Sequence, residues 1–229
     1  EWLRDVFAGA GYRGADVEVW QGECGFASWT PEKYWQPRFV RESERAQAVW
    51  LLRRYVLDLY LDLEMSSYFQ TADMMEKAYQ MGASEQSTRK VARQGILNGL
   101  TYSPKPAYYA YANINAIFHD GIKPVEGQRF ITWQDDARPL NGRHARLENV
   151  AVRCLTFARG RTPIYVYYMP ADPQYGWVDK RARTTLEFFS YKDLDLLKKP
   201  VLINLLTGDV FELPTRGNQK DFGSVFLDN

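Results

Sequence analysis

The chain has 229 residues, with 29 Lys or Arg against 28 Asp or Glu, a formal charge of +1; hydrophobic residues make up 45% and charged residues 25%. These are ordinary values for a soluble globular protein and exclude a disordered tail, a collagen-like repeat and a disulfide-stapled miniprotein. The longest apolar runs, such as Val56 to Leu63, are cut by Asp58 and Asp62, far short of the roughly 18 residues that a membrane span needs. Residues 1–120 carry 13 basic and 15 acidic groups, residues 121–229 carry 16 and 13, and no run of Lys or Arg exceeds two. Neither part has the basic footprint of a nucleic-acid binder.

The first eight residues place Trp2 or Leu3 at helical spacing to Val6 and Phe7, and Gly9 and Gly11 end the pattern. Because the chain opens at Glu1 inside this predicted helix, without an initiator Met, a longer natural product is expected. Val17 to Cys24 reads as a buried strand. Ser43 is a plausible N-cap for a helix running to Leu61, with Glu44 in its first turn and a stripe of Val49, Leu52, Val56 and Leu59. Residues 64–71 read as the next strand, and the polar stretch Glu76 to Gln94 predicts a short helix near its end. Pro106 suits a first helical position, and Ala107, Tyr111, Ile114 and Phe118 continue the period until Gly121.

After Gly121 short β-branched and aromatic runs recur at 129–133, 150–157, 164–169, 184–189, 201–205 and 210–213, separated by turn clusters at 160–163 and 207–209. This texture predicts an antiparallel β module, most simply a sandwich, with the boundary near residue 122. The fold class is therefore α/β over 1–121 followed by an antiparallel β-sandwich over 122–229.

Most motif candidates carry little chemistry. Gly9-Ala-Gly-Tyr-Arg-Gly14 matches G-x-G-x-x-G, but a dinucleotide site needs a strand before the glycines and a helix after them, and here the order is reversed. His119 and His144 have no partner at metal-ligand spacing and read as structural or surface residues. Asp135-Asp136 reads as a solvated turn. Cys24 and Cys154 lie 130 positions apart without C-x-x-C spacing; two free buried thiols are expected, with a disulfide as the alternative. No metal or organic cofactor is implied.

Trp20-Gln-Gly-Glu-Cys-Gly-Phe-Ala-Ser28 differs from these. It sets a carboxylate, Glu23, at the end of a strand between Gly22 and Gly25, where glycines allow close approach to the backbone. Strand alternation predicts that Val19, Gln21 and Glu23 share one face, and a buried carboxylate is costly unless paired or used. The spacing alone leaves two readings open: a strand-end Glu bridged to a neighbouring Arg, or a working carboxylate.

Val17 to Ser28 resembles the seventh strand of clan A glycoside hydrolases, retaining enzymes with a (β/α)₈ barrel, in which a strand-end Glu is the nucleophile. Ser43–Leu61 resembles the seventh helix, Glu64–Thr71 the eighth strand and Lys105-Pro-Ala-Tyr-Tyr109 through Phe118 the eighth helix. The β module, ending in Pro200 to Asp209, resembles the appended C-terminal β domain. The resemblance implies that Glu23 attacks an anomeric carbon, that Gln21 helps to keep it ionised, and that Ser28, Trp29, Tyr68, Gln70 and Asp73 surround a carbohydrate substrate at the strand ends. One departure stands out. The clan's acid/base is a Glu preceded by Asn on the fourth strand, and no Asn-Glu dipeptide occurs here. Two barrel strands do not close a barrel. The resemblance thus implies a partner, an N-terminal barrel half supplied by upstream residues or by a second polypeptide. The alternative expectation is a non-catalytic carbohydrate-binding or interaction subunit.

Overall fold

The computed structural model describes residues 2–12, 17–28, 44–77, 88–119, 121–125, 130–135, 153–168, 170, 181–188, 201–212 and 221–228. Contacts divide the chain into two units, one holding the described residues through Ala112 and the other those from Asn113. The division falls within the third helix. Among the described residues no helix is long and apolar enough to cross a membrane.

The first unit opens with α1, Trp2–Gly9. Its expected apolar face is on the outside, with Trp2 74% and Val6 47% exposed. Arg4 tethers it by donating to the carbonyl of Asp62 at 2.7 Å and to the Glu64 carboxylate at 3.1 Å. Partial desolvation raises the Glu64 carboxyl, but the Val19 N–H and the Arg4 guanidinium outweigh it and hold the group below its ordinary value.

β1, Trp20–Cys24, pairs in parallel with β2, Met65–Tyr68, and α2, Glu44–Tyr60, makes the crossover between them. That is the connection parallel neighbours require. The proposed N-cap Ser43 lies outside the described residues. The predicted stripe Val49, Leu52 and Val56 is buried and Leu59 is half-buried; Ala46, Gln47, Ala48, Leu51, Tyr55 and Asp58 are buried as well. α2 is therefore enclosed over much of its circumference, and each large apolar side chain so covered stabilises the fold by about 1.5–3 kcal/mol.

The short helix predicted near Gln94 is not formed. β3, Met74–Lys77, and β4, Thr88–Ala92, make an antiparallel pair instead. A helix of a few residues is marginal in water, whereas pairing with β3 satisfies the same backbone groups. α3, Pro106–Ile117, begins at the proline as predicted, where the missing N–H costs nothing, and buries Ala107, Ala110 and Ile114. Gly121, at φ 83°, turns the chain out of it.

Strands of the second unit pair antiparallel throughout. β5, Ile122–Pro124, β7, Arg153–Arg159, and β8, Thr162–Tyr168, form one sheet in the order β5-β7-β8. Gly160, at φ 57°, supplies the left-handed turn between β7 and β8. β6, Phe130–Asp135, β9, Arg181–Phe188, and β12, Asp221–Asp228, form a second sheet in the order β12-β9-β6, and β10, Val201–Ile203, pairs with β11, Val210–Glu212. β5 and β12 are strands that composition does not single out. Asp135 ends β6 in register with Arg183, which corrects its reading as a turn residue; Asp136 lies outside the described residues. Phe157, 1% exposed, packs edge-on against Phe118 with ring centroids 5.0 Å apart.

Cys24 and Cys154 are free thiols, each half-buried. Burial pushes both upward; at Cys24 the Arg54 charge works against this and Asp58 adds to it. The thiolate is the reactive species, so iodoacetamide at pH 7.5 is expected to modify both more slowly than it modifies glutathione. Mass-resolved rates check this, and a rate above that of glutathione at either position contradicts it.

Candidate functional site

The site is built at the carboxyl ends of β1 and β2. Register runs Gln21 to Ser66 and then Cys24 to Tyr68, so β1 carries one extra residue between those pairs, a bulge at Gly22-Glu23. A bulge breaks the two-residue alternation and re-aims a side chain. The face expected to hold Gln21 with Glu23 instead holds Gln21 with Cys24, both half-buried, while Glu23 is exposed. The predicted burial of Glu23 is corrected for the same reason. Among the described residues the Glu23 carboxylate makes no ion pair.

The chain beyond Glu23 is pinned at successive residues. Phe69 N–H donates to the Cys24 carbonyl at 2.7 Å, and a Cβ added to Gly25 would lie 1.9 Å from the Phe69 oxygen. Only glycine fits there, because the two loops cross backbone to backbone. Gly25→Ala is expected to cost about 1–3 kcal/mol, the range for forced overpacking, measured by urea unfolding; a cost under ~0.5 kcal/mol would show that the loops separate freely.

Gln47, fully buried on α2, aims its Nε2 at the carbonyls of Phe26 at 2.8 Å, Gln94 at 3.1 Å and Gly95 at 3.1 Å, and at the Tyr68 hydroxyl at 3.2 Å. It joins the loop after β1, the end of β2 and the chain after β4. Tyr68 is half-buried, and its hydroxyl also donates to the Phe26 carbonyl at 3.3 Å.

A buried ion pair lies at the end of this segment. Lys105 Nζ reaches Asp73 Oδ1 at 2.5 Å and Ser28 Oγ at 2.9 Å, with the Lys105 and Asp73 side chains 3% and 1% exposed. Asp73 Oδ1 also accepts from the Gly95 N–H at 3.1 Å, and Ser28 N–H donates to the Arg93 carbonyl at 2.8 Å. The pair ties the loop after β1 to the loop after β2 and to the residue before α3.

A second polar chain links α2 to β1 and β2. Ser66 Oγ donates to Asp58 Oδ2 at 2.7 Å, and Arg54 Nε lies 2.9 and 3.0 Å from the two Asp58 oxygens. Arg54 Nη2 donates to Gln21 Oε1, and Gln21 Nε2 donates to the main-chain carbonyl of Glu23 at 2.7 Å.

Glu23, Gln21, Ser28, Tyr68, Gln70 and Asp73 thus all lie on β1, β2 or the segments that follow them. Ser28 and Asp73 are buried and committed to Lys105, and Gln21 reaches the backbone of Glu23, not its carboxylate. Gln70 is half-buried; its carbonyl accepts from Ile96 N–H at 3.1 Å, and among the described residues its Nε2 has no hydrogen-bond partner. Trp29 lies outside the described residues. Gln47, Arg54 and Asp58 are not among the residues that the sequence singles out, although polar groups set among the apolar positions of a helix are a visible signal. Among the described residues no three His, Cys, Asp or Glu groups gather to hold a metal ion.

No protein-family model matches the chain, and a search of curated proteins finds none similar to it.

Proposed function

We propose that the chain carries the nucleophile of a retaining glycoside hydrolase, and that Glu23 is that nucleophile. The observation that carries this reading is an exposed carboxylate that makes no ion pair among the described residues, on a bulge at the carboxyl end of one of two adjacent parallel strands. In (β/α)₈ barrels the chemistry is done at the carboxyl ends of the strands. A carboxylate bridged to a neighbouring Arg is the arrangement that would favour a non-catalytic subunit, and Glu23 has no such bridge among the described residues. In this reading β1, α2, β2 and α3 belong to the last part of such a barrel, and the antiparallel strands form a bracing sandwich.

Glu23 attacks the anomeric carbon, the glycosidic bond breaks, and the leaving oxygen takes a proton from an acid; water then resolves the glycosyl-enzyme ester. The acid/base must stand about 5–5.5 Å from the nucleophile. Asp73 is committed to Lys105, Asp58 to Arg54, and Glu64 precedes β2 at its opposite end. The resemblance places the acid/base on another strand, in an upstream barrel half or a second polypeptide.

The test is inactivation of the complete enzyme, this chain together with its N-terminal barrel half, by 2-deoxy-2-fluoroglycosyl fluorides of the gluco, galacto, manno and xylo series, followed by peptide mapping. Label on Glu23 is the expected result. Label on another carboxylate overturns the assignment.

A further inference from the structure

We infer that Arg54 and Gln21 are positioning residues that set the direction of Glu23 by locking the bulge on which it sits. This rests on the reading of Glu23 as the nucleophile and explains how its geometry is held.

The extra residue in β1 takes backbone groups out of the ladder with β2. A carbonyl so released needs another hydrogen-bond donor. Gln21 Nε2 supplies that donor to the Glu23 carbonyl at 2.7 Å. A glutamine amide presents an acceptor at one end and donors at the other. Arg54 occupies the acceptor end, Oε1, so the donor end is the one left facing Glu23. Arg54 thereby determines how the Gln21 amide is turned.

Arg54 is itself held. Its Nε donates to Asp58 Oδ2 at 3.0 Å and lies 2.9 Å from Oδ1 in an ion pair, one turn along α2, and Asp58 is 2% exposed. Ser66 on β2 donates to that carboxylate at 2.7 Å, and Ser66 is the register partner of Gln21. The chain Ser66, Asp58, Arg54, Gln21 therefore starts on β2, crosses α2 and returns to β1 beside its starting point. A charged pair with one partner buried and the other half-buried is a weak source of stability compared with apolar packing. Such a closed chain is instead well suited to holding one backbone geometry.

The experiment uses the complete enzyme, this chain with its N-terminal barrel half, as wild type, Gln21→Glu and Arg54→Lys. Gln21→Glu keeps an oxygen for Arg54 and adds charge to that contact, but it removes the N–H that faces the Glu23 carbonyl. Arg54→Lys replaces a fork by a single ammonium, which does not grip Asp58 and Gln21 together. Thermal unfolding reports the fold, the ¹³Cδ resonance of Glu23 (assigned by its loss in Glu23→Gln) reports its setting, and the rate of labelling by the fluorosugars reports its reactivity. The expected result is a Gln21→Glu protein that unfolds within a few degrees of wild type, with the Glu23 resonance displaced or doubled and labelling slowed roughly tenfold or more. Arg54→Lys is expected to move the same resonance, and it carries the test if Gln21→Glu does not fold. An unmoved Glu23 resonance in the folded variants overturns the inference. A moved resonance with no labelling of Glu23 in wild type keeps the lock and removes the nucleophile reading.

Discussion

Glu23→Gln is expected to abolish glycoside turnover while leaving the fold intact. The substitution keeps the size of the side chain and removes the charge that attacks the anomeric carbon. Glu23 is exposed and makes no ion pair among the described residues, so no folded-state partner is lost. Stability should stay within about 0.5 kcal/mol of wild type, as for surface substitutions away from special features. Removal of the nucleophile from a hydrolase that works through a covalent intermediate costs on the order of 10⁶-fold in kcat, and a fall of that scale, with unchanged thermal unfolding, is the result to look for in the complete enzyme. Near-normal turnover would end the nucleophile assignment. A loss of both activity and stability would show instead that Glu23 holds the bulge together.

Lys105→Met is expected to destabilise the first unit more than any surface change. The replacement leaves Asp73 charged, 1% exposed at its side chain and without the Lys105 ammonium that balances it. Breaking a buried pair from one side costs about 3–5 kcal/mol. The double variant Lys105→Met with Asp73→Asn should lose less than the single one. The asparagine side chain is neutral, and its oxygen can still accept from the Gly95 N–H that Asp73 holds at 3.1 Å. Urea unfolding of the three proteins decides it. A cost under about 1 kcal/mol for Lys105→Met, or a double variant worse than the single one, would show that the pair does not hold these loops.

The two predictions separate two kinds of polar residue at the same strand ends. Glu23 faces solvent and is available for chemistry, whereas Asp73, Ser28 and Lys105 are enclosed and neutralise one another. In the sequence these groups look alike. Asp73 and Ser28 follow strands that resemble barrel strands, and that resemblance alone makes them look like hydroxyl-binding groups. Their burial shows that they support the loops from beneath.

Short-range signals were legible. Pro106 marks the first turn of α3, Gly121 its exit, and the three- and four-residue spacing of Val49, Leu52 and Val56 the buried side of α2. Each depends on residues within a few positions, where steric limits on φ and ψ and the helical period act directly. The β-rich texture after Gly121 was legible for the same reason, although β5 and β12 escaped it. The β3–β4 pair did not follow from local pattern, since each short strand is stable only against the other.

The sequence by itself determined where α2 and α3 run, that a helix joins β1 to β2, and that a carboxylate stands at the end of β1 between two glycines. Tertiary structure alone decided what that carboxylate faces. The bulge exists only because Gln21 pairs with Ser66 and Cys24 with Tyr68, and it turns Glu23 outward against the alternation of its own strand. The lock on Gln21 comes from Arg54, 33 positions away, and the partner of Asp73 is Lys105, 32 positions away. Contacts at that separation depend on how the chain closes on itself, and no local periodicity encodes them.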